Sequence, residues 1–270
     1  MREGTEMRKI AGLILAGILG FALPSSAQTP AQAPAHPKAS TAPKVGTAAK
    51  TGTVPARAYD RALLRPALLK EKAPETFQVK FETTRGDFTM TVTRAWAPIG
   101  ADRFYNLVKH HFYDNMVVFR AVPGFVVQFG ISSYPPVAAA WSNANINDDP
   151  VKQSNQRGYV TYAKTDSPNT RSTQIFISFK DNSFLDSKGF APFAVVDPTG
   201  MKVVEMLYDQ YGDQPTGEQD QIASGGKAYL DKKYPKLDVI KHATLVGGAA
   251  VPPAKPAAAP KTVPAAQKPQ

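Results

Sequence analysis

Arg120 and Gln128 are the only strongly polar side chains in an otherwise apolar block, Val117 to Gly130, which reads V-V-F-R-A-V-P-G-F-V-V-Q-F-G. A core strand avoids both residue types unless they are paired or face a site. Pro123-Gly124 divides the block into two short β-rich runs, as a tight turn does. Side chains alternate along each run, so folding the two back to back brings Arg120, Phe125 and Gln128 onto one face. The product is an apolar shelf with one fixed cation and one amide. Such a shelf suits an uncharged peptide group better than an ionised substrate.

Other chemistry has less to stand on. His110 and His111 are adjacent and cannot both face one metal, His242 stands alone, and His36 lies in a low-complexity end. Asp148-Asp149-Pro150 lacks the series of oxygen ligands of a calcium loop and reads as a turn. Gly-rich phosphate loops and a Ser/His/Asp arrangement are not apparent. Neither a metal nor a cofactor is expected.

The elements that must position Arg120 and Gln128 are mostly strands. Phe77, Val79 and Phe81 alternate with polar residues, Thr84-Arg85-Gly86-Asp87 turns the chain, and Phe88, Met90 and Val92 alternate on the return. Pro98 opens a helix whose Phe104, Leu107, Val108 and Phe112 share one face. Residues 131–157 read as loop, strands resume at 159–163, 174–179 and 193–196, and 201–211 reads as a second helix. Residues 212–226 read as a polar loop and 239–246 as a last strand. Many short strands with two well-separated helices imply an antiparallel barrel or sandwich.

The two ends differ from this body. Arg8-Lys9 precede the apolar run Ile10–Leu23 and then Ser25-Ser26-Ala27, the pattern of a signal peptide over residues 1–27, with a retained amino-terminal anchor as the alternative. Met7 is the alternative start. Residues 28–57 and 249–270 are rich in Ala, Pro, Lys and Thr and read as disordered linker and tail. Residues 58–76 read as a short broken helical extension around Pro66, and 77–248 as one domain. The net charge of +10 suggests nucleic acid, but residues 1–57 and 249–270 carry the excess and leave the body nearly balanced. No nucleic-acid partner is expected; weak contact of the basic ends with anionic envelope polymers or lipids is the more specific option, and plain solubilising spacers the simpler one. With no cysteine, there is no disulfide framework, and the fold rests on an ordinary core. The expected location is the periplasm or cell envelope, or outside the cell, as a monomer.

The spacing R-x-x-P-G-F-x-x-Q-x-G from Arg120 to Gly130 resembles the cyclophilins, the peptidyl-prolyl cis/trans isomerases. Ser167-Pro168-Asn169-Thr170-Arg171-Ser172-Thr173-Gln174-Ile175-Phe176-Ile177 is similar to that family's G-P-N-T-N-G-S-Q-F-F-I. Phe184-Leu185-Asp186-Ser187-Lys188 with Phe193-Ala194-Val195-Val196 is similar to its W-L-D-G-K…F-G-x-V. The resemblance covers residues 77–246. It implies a mainly β fold: a closed eight-stranded antiparallel barrel capped by two α-helices. It also implies isomerisation of X–Pro bonds in proline-containing unfolded or extended polypeptides, here exported ones. A chaperone or scaffold module that holds proline segments with weak or no catalysis is the alternative.

By the same resemblance Arg120 is the catalytic arginine, Gln128 the glutamine that positions it, and Gln174 the glutamine of the neighbouring groove. Phe125, Val126, Phe176 and Leu185 build the proline pocket, with Val126 in place of the usual methionine. Ala163 is the position whose backbone pairs with a peptide, and Lys164 stands where asparagine is usual. Phe184 replaces a tryptophan whose indole N–H donates to cyclosporin-type ligands. Phe119 replaces a histidine and Ile175 a phenylalanine. Near Gly189 there is an extra residue and no histidine, so Phe190 is assigned to close the pocket.

Overall fold

The computed structural model describes residues 58–246. The proposed signal peptide, linker and tail therefore lie outside the described residues. The strands are β1 (Thr76–Thr83), β2 (Gly86–Thr93), β3 (Met116–Val117), β4 (Arg120–Val122), β5 (Val126–Phe129), β6 (Tyr159–Tyr162), β7 (Ile175–Ser178), β8 (Pro192–Val196) and β9 (Val239–Val246). They form one antiparallel, curled sheet in the order β3-β9-β1-β2-β8-β6-β7-β5-β4, a half-barrel.

The closed eight-stranded barrel that the resemblance implies is not confirmed. Among the described residues there are nine strands, and no ladder joins β3 to β4. The two edge strands are instead linked by chain, through Val118 and Phe119 alone. Two residues span only a few ångström each, so the sheet must curl until its edges are neighbours.

β1 and β2 form a hairpin around Thr84-Arg85, with Thr83 opposite Gly86. Their inward residues Val79, Phe81, Phe88 and Met90 are buried. Phe81 stacks on Phe88 at 5.0 Å, and Phe104 from α1 (Pro98–Lys109) lies against both Phe81 and Phe193. Pro98 occupies the first helical turn, where its missing N–H costs nothing. The first-turn N–H groups of Ile99 and Gly100, which lack partners within the helix, donate to the Asp149 carboxylate at 3.0 and 2.9 Å. Asp149 also pairs with buried Arg171 at 3.0 Å. The Asp148-Asp149 step thus serves as a remote helix cap and counter-ion.

Four α-helices are present where two were expected. Residues 131–157 contain α2 (Pro135–Trp141), a single short run of Pro and Ala that buries Val137, Ala138 and Trp141. The helix expected at 201–211 is α3 (Pro198–Val204). It begins earlier because Asp197 accepts from Thr199 N and Gly200 N with Pro198 behind it. It ends earlier because Tyr208 N donates to Asp238 (2.6 Å), which takes the chain out of the helix.

The supposed polar loop at 212–226 is largely helical: a short 3₁₀ turn at Gln214–Glu218 runs into α4 (Gln219–Lys233). α4 is kinked at Gly226 (φ 59°, ψ −152°), where a Cβ would lie 2.3 Å from the Ser133 carbonyl oxygen. Ile222 and Leu230 of α4, with Tyr234, form a second apolar cluster with Val117 and Phe119. The helix therefore packs beside the chain that links the two edge strands.

Residues 58–76 form two 3₁₀ turns, Arg61–Leu64 and Pro66–Leu68, before β1 begins. Buried Leu63 accepts the Trp141 indole N–H at 2.8 Å, and Asn106 of α1 exchanges hydrogen bonds with the Glu71 backbone.

Candidate functional site

The β4–β5 hairpin sets Arg120 directly opposite Gln128. Arg120 Nη1 donates to Gln128 Oε1 at 2.9 Å, and the guanidinium lies 5.6 Å from the Phe125 ring centroid. Arg120, Gln128 and Phe125 thus share one face. β7 runs on the other side of β5, and the line of amides continues there. Gln128 Nε2 donates to Gln174 Oε1 at 2.8 Å, and Gln174 Nε2 donates to Gln219 Oε1 at 2.8 Å. Gly130 permits this approach: a Cβ there would sit 2.5 Å from Gln174 Cα.

Two partners were missing from the sequence reading. Gln219 begins α4, and Asp213 precedes it, with Asp213 Oδ1 2.6 Å from Arg120 Nε. The Arg120 N–H does not point along that line, so the contact is a charge pair rather than an aligned hydrogen bond. The only sequence signal for this segment was the apolar spacing of Ile222, Leu230 and Tyr234, which Gly225-Gly226 interrupts.

Beside Arg120 lies an apolar cluster separate from the main core. Val126, Phe176, Leu185 and Phe190 are buried in it, and Phe125 and Ala163 border it. Phe176 meets Phe190 edge-on at 5.9 Å. The cluster draws on β5, β7, β8's approach and the 3₁₀ turn Ser183–Lys188, so four separate stretches converge. Asn155 binds the last two together by donating to Asp186 Oδ1 (2.7 Å) and to the Phe190 carbonyl (2.8 Å).

Three further positions sit at the rim. Phe184 is 52% exposed and stacks on Phe125 with ring centroids 6.2 Å apart. Ala163 donates its N–H to the Gln174 carbonyl at 2.9 Å, which leaves only its carbonyl for a bound peptide. The Lys164 side chain, 6% exposed, folds back with Nζ 3.8 Å from Asp148 Oδ2 and 5.4 Å from the Phe190 ring centroid. It lies against the pocket wall instead of reaching into solvent. Arg120, Gln128 and Gln174 therefore lie in the arginine line, and Phe125, Val126, Ala163, Lys164, Phe176, Phe184, Leu185 and Phe190 in the apolar cluster or at its rim.

Comparison with known proteins bears on what this arrangement is. The sequence pattern described as "Cyclophilin type peptidyl-prolyl cis-trans isomerase/CLD" matches residues 78–227, more than half of the chain. The chain belongs to this family. Among similar cyclophilin-type proteins is the peptidyl-prolyl cis-trans isomerase of Acinetobacter baylyi, 29% identical over 144 residues, which span 52% of this chain and 76% of the relative. Peptidyl-prolyl cis-trans isomerase B of Escherichia coli K12 is 27% identical over 182 residues, 62% of this chain and 98% of the relative. A solved cyclophilin type isomerase of Cryptosporidium parvum overlays with a TM-score of 0.48 at 18% identity, covering 64% of this chain and 99% of that one.

Two departures from the cyclophilin pattern have local causes. Phe119 is buried among Val117, Ile222, Leu230 and Tyr234, so an apolar ring suits the surface that α4 covers. Ile175 points into the main core while Phe176 points into the pocket cluster, as alternation along β7 requires. The change at Ile175 is therefore a core change.

Proposed function

We propose that this cyclophilin catalyses cis/trans isomerisation of X–Pro bonds in exported, unfolded or extended polypeptides and so assists their folding. The observation that carries the reading is Arg120. It is fixed by Gln128 on one side and Asp213 on the other, directly beside an apolar, partly aromatic cluster.

Rotation about the amide C–N bond faces a barrier of about 18–20 kcal/mol, because that bond is partly double. Conjugation is lost at the twisted transition state, and the prolyl nitrogen gains lone-pair character. The reaction needs no nucleophile, metal or cofactor. It needs a grip on the proline ring and a donor whose interaction strengthens as the bond twists. Phe125, Val126, Phe176, Leu185 and Phe190 provide the apolar grip, with Phe184 at its rim. Arg120 provides the donor, since a guanidinium stays charged and carries several N–H groups in a rigid fork. Gln128 positions Arg120, Gln174 lines the groove beyond it, and Ala163 with Lys164 borders the side on which an extended peptide would lie.

Export rests on the basic-then-apolar pattern of residues 8–27, and the linkers on the composition of 28–57 and 249–270. These support a location in the periplasm or envelope, or outside the cell; a monomer is the proposed state.

The test is a proline-isomerisation assay on residues 58–248. The parent accelerates exchange, and Arg120→Ala loses most of that acceleration with its thermal midpoint kept. Undiminished activity in Arg120→Ala refutes the mechanism. A folded parent without activity favours a module that only holds proline segments.

A further inference from the structure

Hydrogen bonds and one charge pair close into a ring around Arg120. Arg120 donates to Gln128, Gln128 to Gln174 and Gln174 to Gln219. Gln219 Nε2 then donates to the Thr216 carbonyl at 3.3 Å, Thr216 Oγ1 donates to Asp213 Oδ1 at 3.0 Å, and Asp213 returns to Arg120 Nε. A guanidinium can only donate and a carboxylate can only accept. The guanidinium at one end of the amide line and the Thr216 backbone carbonyl, which can only accept, at the other fix its direction, so each of the three glutamine amides has one orientation available.

Asp213 reaches this position through its own turn. The Gly212 carbonyl accepts from the Ala121 N–H at 3.4 Å, next to Arg120, and Thr216 N donates to the Asp213 carbonyl at 3.0 Å. Behind that turn Glu218 accepts from Tyr229 (2.7 Å) and Tyr234 (3.1 Å) and pairs with Lys233, which ties it to α4. The segment is thus anchored independently of Arg120.

We infer that Asp213 is a positioning residue of the isomerase site, acting through Arg120. A free arginine side chain has about 2 kcal/mol of rotamer entropy to lose. Asp213 takes Nε and Gln128 takes Nη1, and among the described residues Nη2 has no protein partner. The N–H groups of Nη2 are left for the twisting amide, with their orientation already set. The inference rests on the isomerase reading above.

The experiment compares the parent with Asp213→Asn, Asp213→Glu, Thr216→Val, Arg120→Ala and the Arg120→Ala/Asp213→Asn double variant, measuring kcat and KM for a proline peptide. Asp213→Asn keeps the shape and removes the charge. It should lower kcat about tenfold with KM changed less than about twofold, the signature of a lost transition-state contribution. Asp213→Glu should recover part of the loss. Thr216→Val, which removes only the hydroxyl that steadies Asp213, should lower kcat in the same sense by less. In the Arg120→Ala background, Asp213→Asn should have no further effect. Unchanged or raised kcat in Asp213→Asn, or additive losses in the double variant, overturns the proposal. If Asp213→Asn does not fold, Thr216→Val decides by the same criteria. If the parent is inactive, the isomerase reading fails by itself. The Arg120 Nε–Hε NMR resonance then decides the pairing: a shift on Asp213→Asn supports it, and an unmoved resonance overturns it.

Discussion

At the scale of single residues, Arg120 was legible because a charged side chain inside an apolar strand run needs a reason to be there. Gln128 was legible for the same reason. Asp213 and Gln219 were not, since an aspartate and a glutamine in a polar stretch look like any solvated surface until the fold carries them to Arg120. Phe190 carries no signal of its own beyond its place after Gly189, and its ring meets Phe176 in the pocket cluster. Phe184 changes an expectation about inhibitors. A buried, unpaired acceptor costs about 1–3 kcal/mol, but Phe184 is half exposed, so water can reach a ligand acceptor placed there. The loss of the indole N–H should therefore fall near the low end, about 1 kcal/mol or roughly fivefold in affinity for a cyclosporin-type peptide. Phe184→Trp should recover that factor in a titration and leave peptide turnover nearly unchanged. A gain of a hundredfold would mean that the acceptor there is buried, and no gain that Phe184 does not border the inhibitor.

At the scale of elements, the strands were legible and the short helices were not. Strand alternation at 77–81 and 88–92 is a local signal that the core rewards directly. α2 is a single Pro-led stretch, and the periodicity of α4 is broken at Gly226, so neither offers a long repeat. That break gives a prediction. Gly226 has a backbone conformation open essentially to glycine, and a Cβ would strike the Ser133 carbonyl. Gly226→Ala should destabilise the domain by about 2–3 kcal/mol, seen as a lower denaturation midpoint. It should also reduce isomerase activity, because α4 carries Gln219. A second prediction concerns the extension at 58–76. His110 Nδ1 lies 2.7 Å from Asp60 Oδ2, and that hydrogen bond, with one from Ala62 N, holds the Asp60 carboxyl below its ordinary range. A depressed carboxylate contributes stability above its unfolded value, and the contribution is lost as pH falls through the lower folded value. The extension should therefore loosen only below about pH 4, the unfolded aspartate range. His110→Ala should move that loosening to higher pH. The Trp141 indole, bonded to Leu63, reports it as a change in fluorescence.

At the scale of the whole molecule, composition separated the balanced body from its basic ends, and the mainly β class followed from the number of short strands. The half-barrel did not, because whether a sheet closes by a ladder or by a short link depends on strand registers that no local pattern encodes. If the ends are export and spacer segments, the mature chain should begin at Gln28, and protease should trim 28–57 and 249–270 while the body survives; amino-terminal sequencing and mass spectrometry read both. Retention of Met1 or Met7 would instead support an anchor. The strand order carries a further consequence, in time rather than space. Among the described residues β9 is the last strand, yet it lies between β3 and β1 and is the only sheet partner of β3. A ribosome delivers the chain amino end first. Until residues 239–246 emerge, β3 has nothing to pair with and one side of β1 stays open. The sheet is thus completed only after every other strand of it has been made, and a chain threaded through a membrane channel before then would still be unfinished and pliable.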